Sequence, residues 1–360
     1  MQQALKGLVL SGGKGSRLRP FTYTGAKQLV PIANKPILFY AIEELVNAGI
    51  TEIGVITGDT GDQIREALGD GSRFGANLTF IPQDAPSGIA HAVKIAHPFL
   101  GDDSFVVFLG DNFLRGGIND FVNAFRASDA DCQLLLTPVP NPTEFGVALL
   151  DEAGKPVKLI EKPKEPPTDL AIVGIYMFNK KFFDAVEQIV PSARGELEIT
   201  DTIQKLLDTG ADVRAETVRE SWIDTGRLVD LQMANRLVLD DMEPKQDGAE
   251  VDASTKITGR VVLQRGARIV NSVINGPAII GENTEVIDSY VGPYTSIYHD
   301  CRIVDTEIEA SVVLERSSIS RPGTRIYESM IGRDVTISAD GGRPLALRLV
   351  LGDHSRVHVP

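Results

Sequence analysis

A short stretch near the start of the chain combines a glycine-rich turn with basic side chains. Residues 10–36 read LSGGKGSRLRPFTYTGAKQLVPIANKP, in which Gly12, Gly13 and Gly15 leave backbone N–H groups open to close approach. Arg17 and Lys27 add positive charge beside this turn. Bare N–H groups with nearby cations commonly hold phosphate oxygens. We therefore expect this stretch to bind phosphate, the alternative being a solvated loop with incidental basic residues.

The spacing of the glycines disfavours two common kinds of phosphate site. It matches neither GxxxxGK[ST] nor GxGxxG, since no glycine stands where either motif needs its last one. A P-loop ATPase and a dinucleotide-binding site are both disfavoured on this ground. The stretch therefore points away from ATP hydrolysis and redox chemistry.

Two carboxylates follow apolar segments further along the chain. Asp111 stands in FLGDN, and Asp224 stands in SWIDTG beside Trp222, the only tryptophan. An Asp at the end of a strand can simply cap a helix. With a phosphate-type loop, two of them suggest a Mg²⁺ site, because Mg²⁺ prefers oxygen ligands together with substrate phosphates. Glu161 and Lys162, in LIEKPKEPP, form a further pair that on its own is an ordinary surface feature.

The composition limits the partners and the location. The chain has 360 residues and a formal net charge of -13, which argues against a nucleic-acid or anionic-membrane partner. The apolar run in the first ten residues is too short for a signal peptide, and no uninterrupted run of 18 apolar residues follows, so we expect neither a signal peptide nor a membrane span. Cys132 and Cys301 lie far apart and show no metal-ligand spacing, which fits a reducing compartment. We expect a cytoplasmic protein that acts on small molecules.

The elements that must position these residues alternate between strands and helices up to about residue 235. ALKGLVLSG, EIGVITG, NLTFIPQ and SFVVFLGD read as buried strands, while KPILFYAIEELVNAG and TGDQIREALGDG read as helices closed by glycine. This alternation predicts an α/β domain with a mostly parallel sheet. Ligands of such sheets bind at the carboxyl ends of the strands. The loops after Leu10, Pro82 and Leu109 should therefore share one functional edge.

The rest of the chain has a different periodicity. After an acidic segment, DDMEPKQDGAE, aliphatic residues recur in steps of six, six and five, and Ile257, Ile274, Val291 and Ile308 begin successive sets. This spacing fits three short strands per coil of a parallel β-helix, with a β-sandwich as the alternative. We expect one domain at 1–240 and a second at 241–360. The tail from about residue 338 loses the period and is expected to cap the open end.

Seven motifs occur in an order and spacing that resemble one family. They read LSGGKGSRLRP, AKQLVPIANKP, PSGIAHA, LGDN, EKP, ARGELEITD and WIDTG. Together they are similar to the sugar-1-phosphate nucleotidylyltransferases, and most closely to the long-form glucose-1-phosphate thymidylyltransferases with a hexapeptide-repeat extension. The resemblance is dense over residues 5–235 and looser beyond. It implies a Rossmann-like nucleotidyltransferase domain followed by a left-handed parallel β-helix.

The resemblance implies that dTTP and glucose 1-phosphate react, with Mg²⁺, to give dTDP-glucose and pyrophosphate. The sugar phosphate oxygen would attack the α-phosphorus in line. A phosphate monoester has a second pKa near ~6, so the nucleophile is largely ionised at neutral pH without a general base. This fits the lack of histidine in the motifs apart from His91. Catalysis should then consist of positioning and charge neutralisation.

The resemblance also assigns roles to the matching residues. The catalytic set is Arg17, Lys27, Lys162 and Arg194, with Arg17 on the departing pyrophosphate and Lys162 and Arg194 on the sugar phosphate. The other assignments are Leu10, Gly12, Gly13, Gln83 and Gly88 for the nucleotide, Gly146, Glu161, Ile172, Gly174 and Tyr176 for the sugar, and Asp111 and Asp224 for Mg²⁺. Two residues depart from the pattern, Ser16 for the usual Thr and Phe145 for a Tyr of the short-form enzymes, and the second leaves the sugar preference open.

Three other functions stay open at this point. A uridylyltransferase would use the same motifs, since thymine and uracil differ by one methyl group. A bifunctional acetyltransferase would need a catalytic histidine on the coils, where His299 is the only one in the regular part. An inactive regulatory subunit is disfavoured because Arg17, Lys27, Asp111 and Asp224 are all present. The β-helix also predicts a homo-oligomer of unspecified size.

Overall fold

The computed structural model describes residues 5–13 and 15–339. The chain divides into two compact units. Of the described residues, the first unit contains 5–13, 15, 25–29 and 37–224, and the second contains 16–24, 30–36 and 225–339. The stretch 10–36 therefore contributes residues to both units.

Strands and helices alternate along the chain up to residue 241. The helices are α1 (Ile37–Asn47), α2 (Gly61–Leu68), α3 (Ile89–Ile95), α4 (His97–Leu100), α5 (Asn119–Arg126), α6 (Lys181–Val186), α7 (Ile199–Asp208) and α8 (Leu228–Asp241). The strands are β1 (Leu5–Ser11), β2 (Pro31–Ile32), β3 (Lys35–Pro36), β4 (Glu52–Thr57), β5 (Asn77–Pro82), β6 (Ser104–Leu109), β7 (Asn112–Leu114), β8 (Cys132–Pro138), β9 (Gly146–Leu150), β10 (Pro156–Glu161), β11 (Leu170–Phe178), β12 (Val213–Thr217) and β13 (Trp222–Asp224). Short 3₁₀ turns occur at Ser16–Leu18, Lys27–Leu29, Ser72–Phe74 and Pro142–Glu144.

The large sheet of the first unit is mixed, with parallel strands at one end and mainly antiparallel strands at the other, where only β12 and β8 pair in parallel. Its order is β10-β9-β11-β6-β1-β4-β5, with β8 paired to β11 and β12 paired to β8. Strands β6, β1, β4 and β5 are parallel, which confirms the predicted α/β class. Strand β11 runs antiparallel to β6, β8 and β9. Because β9 and β10 form a hairpin, this end needs no helical crossover between them, unlike the parallel end.

The parallel strands set the predicted functional edge. Since β1, β5 and β6 run in the same direction, the loops after Leu10, Pro82 and Leu109 do share one edge of the sheet. Apolar side chains alternate between the two faces, so that Val9 belongs to one buried cluster and Leu8 to another. Helices cover both clusters, and the edge is held by a core on each side.

The second unit contains a parallel β-helix. Its strands are β14 (Lys245–Gln246), β15 (Glu250–Val251), β16 (Lys256–Thr258), β17 (Val261–Leu263), β18 (Arg268–Val270), β19 (Val273–Asn275), β20 (Ala278–Ile280), β21 (Glu285–Ile287), β22 (Tyr290–Val291), β23 (Thr295–Ile297), β24 (Arg302–Val304), β25 (Glu307–Glu309), β26 (Val312–Val313), β27 (Ser318–Ser320), β28 (Ile326–Tyr327), β29 (Met330–Ile331) and β30 (Thr336–Ser338). They form three parallel sheets, in which every third strand pairs with the next. This confirms the left-handed parallel β-helix expected from the sequence.

The register of these sheets follows the sequence period. Ile257 pairs with Ile274, Ile274 with Val291, and Val291 with Ile308. The predicted inward residues are buried, with one exception. Ile257 is 40% exposed, because β16 is the first strand of its sheet and has a neighbour on one side only. Ile257 therefore keeps the register of the inward residues but is partly exposed.

Short polar residues occupy the corners of the coils. Asn271, Asp288 and Asp305 follow three successive strands of one sheet and have φ values of 45°, 51° and 46°. Asn and Asp tolerate this left-handed conformation better than other side chains. At these three residues the chain leaves one sheet and continues into the next.

One sheet of the β-helix is covered by α8 and by the hairpin of β2 and β3. The two residues at the hairpin tip, Ala33 and Asn34, are both left-handed. The buried Asn235 of α8 accepts hydrogen bonds from the Ala33 N–H at 2.8 Å and from the Ser296 hydroxyl at 2.7 Å. Asn34 donates to the Ile297 carbonyl at 2.7 Å. Residues 30–36 are therefore fixed to the β-helix by specific bonds.

Some predictions reach beyond the described residues. The tail expected to cap the β-helix lies outside them from residue 340 onward, as does Lys14 of the phosphate-type loop. The domain boundary at 240 stays a prediction, while α8 groups with the second unit. Across the described residues, every helix is too short or too polar to span a membrane.

Candidate active site

Lys27 and Asp111 form an ion pair at the edge where β1 and β6 end. Burial alone would raise the pKa of Asp111, but the charge of Lys27 and hydrogen bonds from Lys27 and Asn112 hold it below its ordinary value. The carboxylate is therefore ionised at neutral pH. Gly13 lies against the pair, since a Cβ added to Gly13 would come within 2.9 Å of Lys27 Cε. The glycine-rich turn thus leaves room for the lysine that neutralises Asp111.

The second predicted metal ligand, Asp224, lies beside this pair. Strand β13 runs antiparallel to β7, and their register places Asp224 opposite Asn112, the residue after Asp111. The buried Asn112 donates to Asp111 Oδ1 at 3.2 Å and accepts from Trp222 Nε1 at 2.7 Å. Phe145 packs edge-on against Trp222, with ring centroids 5.3 Å apart. The structure thus brings two carboxylates together from distant parts of the sequence.

A second cluster of charges surrounds Arg194. Arg194 Nε donates to Glu198 Oε1 at 3.1 Å and Nη2 donates to Oε2 at 2.7 Å, a two-pronged pairing. The same Nη2 lies 3.1 Å from Glu161 Oε1, and Lys162 Nζ lies 3.7 Å from that oxygen. Lys162 has a left-handed backbone, with φ of 42°, which is unusual for a lysine and typical of functional sites. Two cations therefore converge on Glu161.

The surroundings of Glu161 shift the pKa of its carboxyl group. Burial raises its pKa above the usual range. The positive charges of Lys162 and Arg194 oppose this rise, and the charge of Glu198 adds to it. Thr200 donates a hydrogen bond to Glu161 Oε2 at 3.3 Å. The result is a half-buried acceptor with cations on one side.

Two glycines let strands β9 and β11 approach these groups. A Cβ on Gly146 would lie 2.7 Å from Thr200 Cγ2 and 3.1 Å from Glu161 Oε2. A Cβ on Gly174 would lie 2.5 Å from Asn112 Oδ1. Contacts this short force a neighbour to move, so both positions depend on glycine. The predicted sugar-contact glycines are thus packed against the charged groups of the site.

Ile172 and Tyr176 also lie on β11, and both are buried. Burial raises the pKa of the Tyr176 phenol, and the charges of Glu161 and Asp224 raise it further. The phenol therefore keeps its proton at neutral pH. It can donate a hydrogen bond, while Ile172 offers apolar surface.

The predicted base-reading residues form a separate group. Gln83 follows β5, and its Nε2 lies 3.0 Å from His91 Nδ1 and 3.4 Å from the Gly88 carbonyl oxygen. Gly88 has φ of 103°, and a Cβ there would overlap the backbone of Leu197. Gly12 faces the other side of the amide, since its Cβ would lie 3.4 Å from Gln83 Oε1. Gln83, Gly88 and Gly12 are thus neighbours.

The contacts described above do not include two of the predicted residues, Leu10 and Arg17. Leu10 is half-buried in β1, and its side chain packs against the core. Arg17 is exposed on the 3₁₀ turn Ser16–Leu18, which groups with the second unit. The remaining site residues, including Lys27, belong to the first unit.

Sequence reasoning missed several residues that the structure places in the site. Gln28 is 1% exposed, and its Oε1 has no hydrogen-bond partner within the described residues. Burying an amide oxygen without a hydrogen-bond partner costs free energy, so Gln28 Oε1 is available to accept a hydrogen bond from a further donor. Asn112 and Glu198 orient Asp111 and Arg194. All three lie inside the motifs AKQLVPIANKP, LGDN and ARGELEITD, which were the available signal.

Comparisons with known proteins identify the family of the chain. A model of the nucleotidyl transferase family matches residues 6–241. A glucose-1-phosphate thymidylyltransferase of Streptomyces griseus is 50% identical over 355 residues, which cover 99% of both chains. The low-salt glycan biosynthesis nucleotidyltransferase Agl11 of Haloferax volcanii is 48% identical over 357 residues, covering 98% of this chain and 99% of the relative.

A solved structure matches about two thirds of the chain. It is described as a glucose-1-phosphate thymidylyltransferase from Bacillus anthracis in complex with a sucrose. It is 38% identical, has a TM-score of 0.63, and the match covers 68% of this chain and 98% of that one. The chain therefore belongs to the nucleotidyl transferase family, alongside relatives of the same length that include glucose-1-phosphate thymidylyltransferases.

Proposed function

We propose that this enzyme converts dTTP and glucose 1-phosphate into dTDP-glucose and pyrophosphate. The observation that carries the proposal is the position of two carboxylates, Asp111 and Asp224, beside the half-buried Lys27. The second charge cluster, around Glu161 and Arg194, belongs to the same unit. The names of full-length relatives at about 50% identity support the same reaction.

In the proposed reaction a phosphate oxygen of glucose 1-phosphate attacks the α-phosphorus of dTTP. The new P–O bond forms as the bond from the α-phosphorus to the bridging oxygen of the β-phosphate breaks, and pyrophosphate leaves with that electron pair. The sugar phosphate is already ionised at neutral pH, because its second pKa is near ~6. No proton has to be removed from the nucleophile. The protein must instead align two anions and neutralise their charge.

The basic residues supply that neutralisation. We assign Lys162 and Arg194 to the phosphate of glucose 1-phosphate, because both already face an anionic carboxylate in Glu161. Lys27 serves the phosphates of the nucleotide beside Gly13. Arg17, exposed on its 3₁₀ turn, is assigned to the departing pyrophosphate.

The sugar and the base would be held by groups of different chemistry. Glu161 would accept from a sugar hydroxyl, and the protonated Tyr176 would supply a donor in the same region. Gly146, Ile172 and Gly174 would shape the space for the ring. For the nucleotide, Leu10 and Gly12 would line the pocket, and Gln83 with Gly88 would read the base.

The residues at Asp111 fit a Mg²⁺ ion. Asp111 is ionised, and Asp224 brings a second carboxylate to the same place. Mg²⁺ sites of this kind use one or two carboxylates and complete their shell with water and substrate phosphates. When bound, the ion would supply positive charge that offsets the negative charge of the substrate phosphates. Asp111 and Asp224 are the residues that would hold it.

A panel of nucleoside triphosphates and sugar phosphates tests the proposal. We expect pyrophosphate release to be fastest with dTTP and glucose 1-phosphate, to stop with EDTA, and to return with Mg²⁺. A higher rate with UTP under matched conditions would make the enzyme a uridylyltransferase. Full activity in EDTA would remove the metal from the assignment.

We also propose a cytoplasmic homo-oligomer with domains divided near residue 240. Cys132 and Cys301 are buried free thiols, which fits a reducing compartment. The polar corners and parallel sheets of the β-helix leave lateral surfaces on which copies can pack. Light scattering of the purified protein gives its mass in solution, and a monomer would contradict the assembly.

A further inference from the structure

Two groups, the His91 ring and the Gly88 carbonyl, face the Nε2 atom of the Gln83 amide. His91 Nδ1 lies 3.0 Å from Gln83 Nε2, and the Gly88 carbonyl oxygen lies 3.4 Å from the same nitrogen. A carbonyl oxygen only accepts, so the atom that faces Gly88 has to be the NH₂ group. His91 Nδ1 then acts as the acceptor, which places the ring proton on Nε2.

This orientation decides which atom of Gln83 is presented on the other side. Gln83 Oε1 lies over the glycine-rich turn, within 3.4 Å of the point where a Cβ on Gly12 would stand. The amide therefore offers an acceptor next to the loop to which we assign the nucleotide. A flipped amide would offer a donor there instead.

We propose that His91 is a positioning residue that holds Gln83 in the orientation that selects bases with a ring N–H. The proposal rests on the nucleotide assignment made above. Thymine and uracil present an N3–H donor, which matches Gln83 Oε1. Cytosine presents a bare N3 acceptor, which would face another acceptor. Such a mismatch leaves buried polar groups unpaired and is a strong source of discrimination.

His91 carries this orientation more than Gly88 does. The Gly88 contact, at 3.4 Å, is long for an N–H···O bond, whereas the His91 contact is of ordinary length. His91 lies on the first turn of α3, and that turn is anchored by bonds from the Ala90 N–H to the Leu197 carbonyl and from the Ala92 N–H to the Gly88 carbonyl. The His91 acceptor and the Gly88 carbonyl therefore hold the NH₂ group together, and removal of His91 leaves only the long Gly88 contact to oppose a flip of the amide.

The test compares dTTP with dCTP in three variants of the full chain. His91→Leu removes the acceptor, and His91→Asn returns one with similar reach. His97→Leu is the matched control, because it removes an imidazole that stacks on Phe183 away from Gln83. The readouts are kcat/KM for pyrophosphate release and the affinity for each nucleotide, measured by calorimetry without sugar phosphate.

For His91→Leu we expect the preference for dTTP over dCTP to fall about tenfold or more, mainly through KM, since one hydrogen-bond mismatch is lost. His91→Asn should keep most of the preference, and His97→Leu should keep all of it. A purely structural role would weaken both nucleotides alike and leave the ratio unchanged, which would overturn the proposal. If His91→Leu fails to fold, His91→Phe keeps the ring volume and still removes the acceptor.

The two readouts separate this proposal from the proposed reaction. If the unmodified protein releases no pyrophosphate from dTTP and glucose 1-phosphate, the reaction is wrong. The calorimetric ratio of dTTP to dCTP still measures the effect of His91 in that case. An unchanged ratio in His91→Leu refutes the role of His91 even if the reaction is correct.

Discussion

Asp224 lies opposite Asn112 in the short antiparallel ladder between β13 and β7. Because Asp111 precedes Asn112 and pairs with Lys27, this ladder gathers three charged side chains from separate segments. Asn112 is the connecting residue, since its amide bonds both Asp111 and the indole of Trp222. Substitutions in this ladder should therefore shift the positions of these three charged side chains more than they disturb the fold.

The carboxylate of Asp224 can be removed while its shape is kept. For Asp224→Asn we expect kcat/KM with Mg²⁺ to fall on the order of 10²-fold or more, because an oxygen ligand loses its charge. The measurement is pyrophosphate release over a range of Mg²⁺ concentrations. Asp120→Asn, at an exposed position of α5, is the control and should stay close to the unmodified enzyme. Unchanged activity in Asp224→Asn would refute its role as a metal ligand.

We predict that the two-pronged hydrogen bonding of the Arg194 guanidinium matters more for glucose 1-phosphate binding than its positive charge does. Arg194→Lys keeps the charge but loses the two-pronged contact with Glu198 and the simultaneous contact with Glu161. We expect KM for glucose 1-phosphate to rise about tenfold, because roughly one charged hydrogen bond is lost. KM for dTTP should change little. Steady-state kinetics with each substrate varied in turn measure this. Arg214→Lys, at a solvent-exposed pair with Asp212, is the control.

The close packing of Gly174 gives a prediction for stability. A methyl group there would meet Asn112 Oδ1 at 2.5 Å and Leu109 Cδ1 at 2.7 Å. We expect Gly174→Ala to cost about 1–3 kcal/mol of unfolding free energy, as overpacking does, and to lower activity by displacing Asn112. Denaturant unfolding and pyrophosphate release measure the two effects. Gly332→Ala, whose methyl group would find nothing closer than 3.8 Å, should leave both unchanged.

The β-helix offers a pH-dependent test at Asp252. Hydrogen bonds from Ser254 and Thr255, with a further one from the Asn271 N–H, lower the pKa of Asp252 to about 2. A folded pKa below the unfolded value stabilises the fold above the unfolded pKa, and this contribution is lost as the pH falls through the folded one. The difference in melting temperature between the unmodified protein and Asp252→Ala should thus be steady near neutral pH. It should shrink between about pH 4 and pH 2, and a gap that stays constant there would contradict the assignment.

The sequence predicted those parts of the fold that depend on local pattern. The alternation of strands and helices gave β1, β4, β5, β6, α1 and α2, and the 17-residue period gave the pairing of Ile274 with Val291. The mainly antiparallel end of the sheet did not follow, because apolar strands such as β11 read alike in either direction. Strand direction depends on how neighbours pair, which one segment does not contain.

The site was predictable as a set of motifs and not as a set of contacts. Asp111 and Lys27 were identified by type and neighbourhood, but their direct pairing depends on how two loops meet in space. The bond between Trp222 and Asn112 joins residues 110 positions apart, and no spacing rule encodes it. Glu198 read as one charge among several in ARGELEITD, and only its burial reveals it as the partner of Arg194.

The assignment of residues 16–24 and 30–36 to the second unit has a consequence for inheritance and engineering. Before residue 37 the chain passes between the two units four times, at 15–16, 24–25, 29–30 and 36–37, and it passes once more at 224–225. A single cut or fusion point cannot separate such interleaved units. Exchanging the β-helix with that of a relative would therefore require exchanging these two early segments with it, including the hairpin bonded to Asn235. We therefore expect related proteins to inherit the two units together and not by exchange of one unit alone.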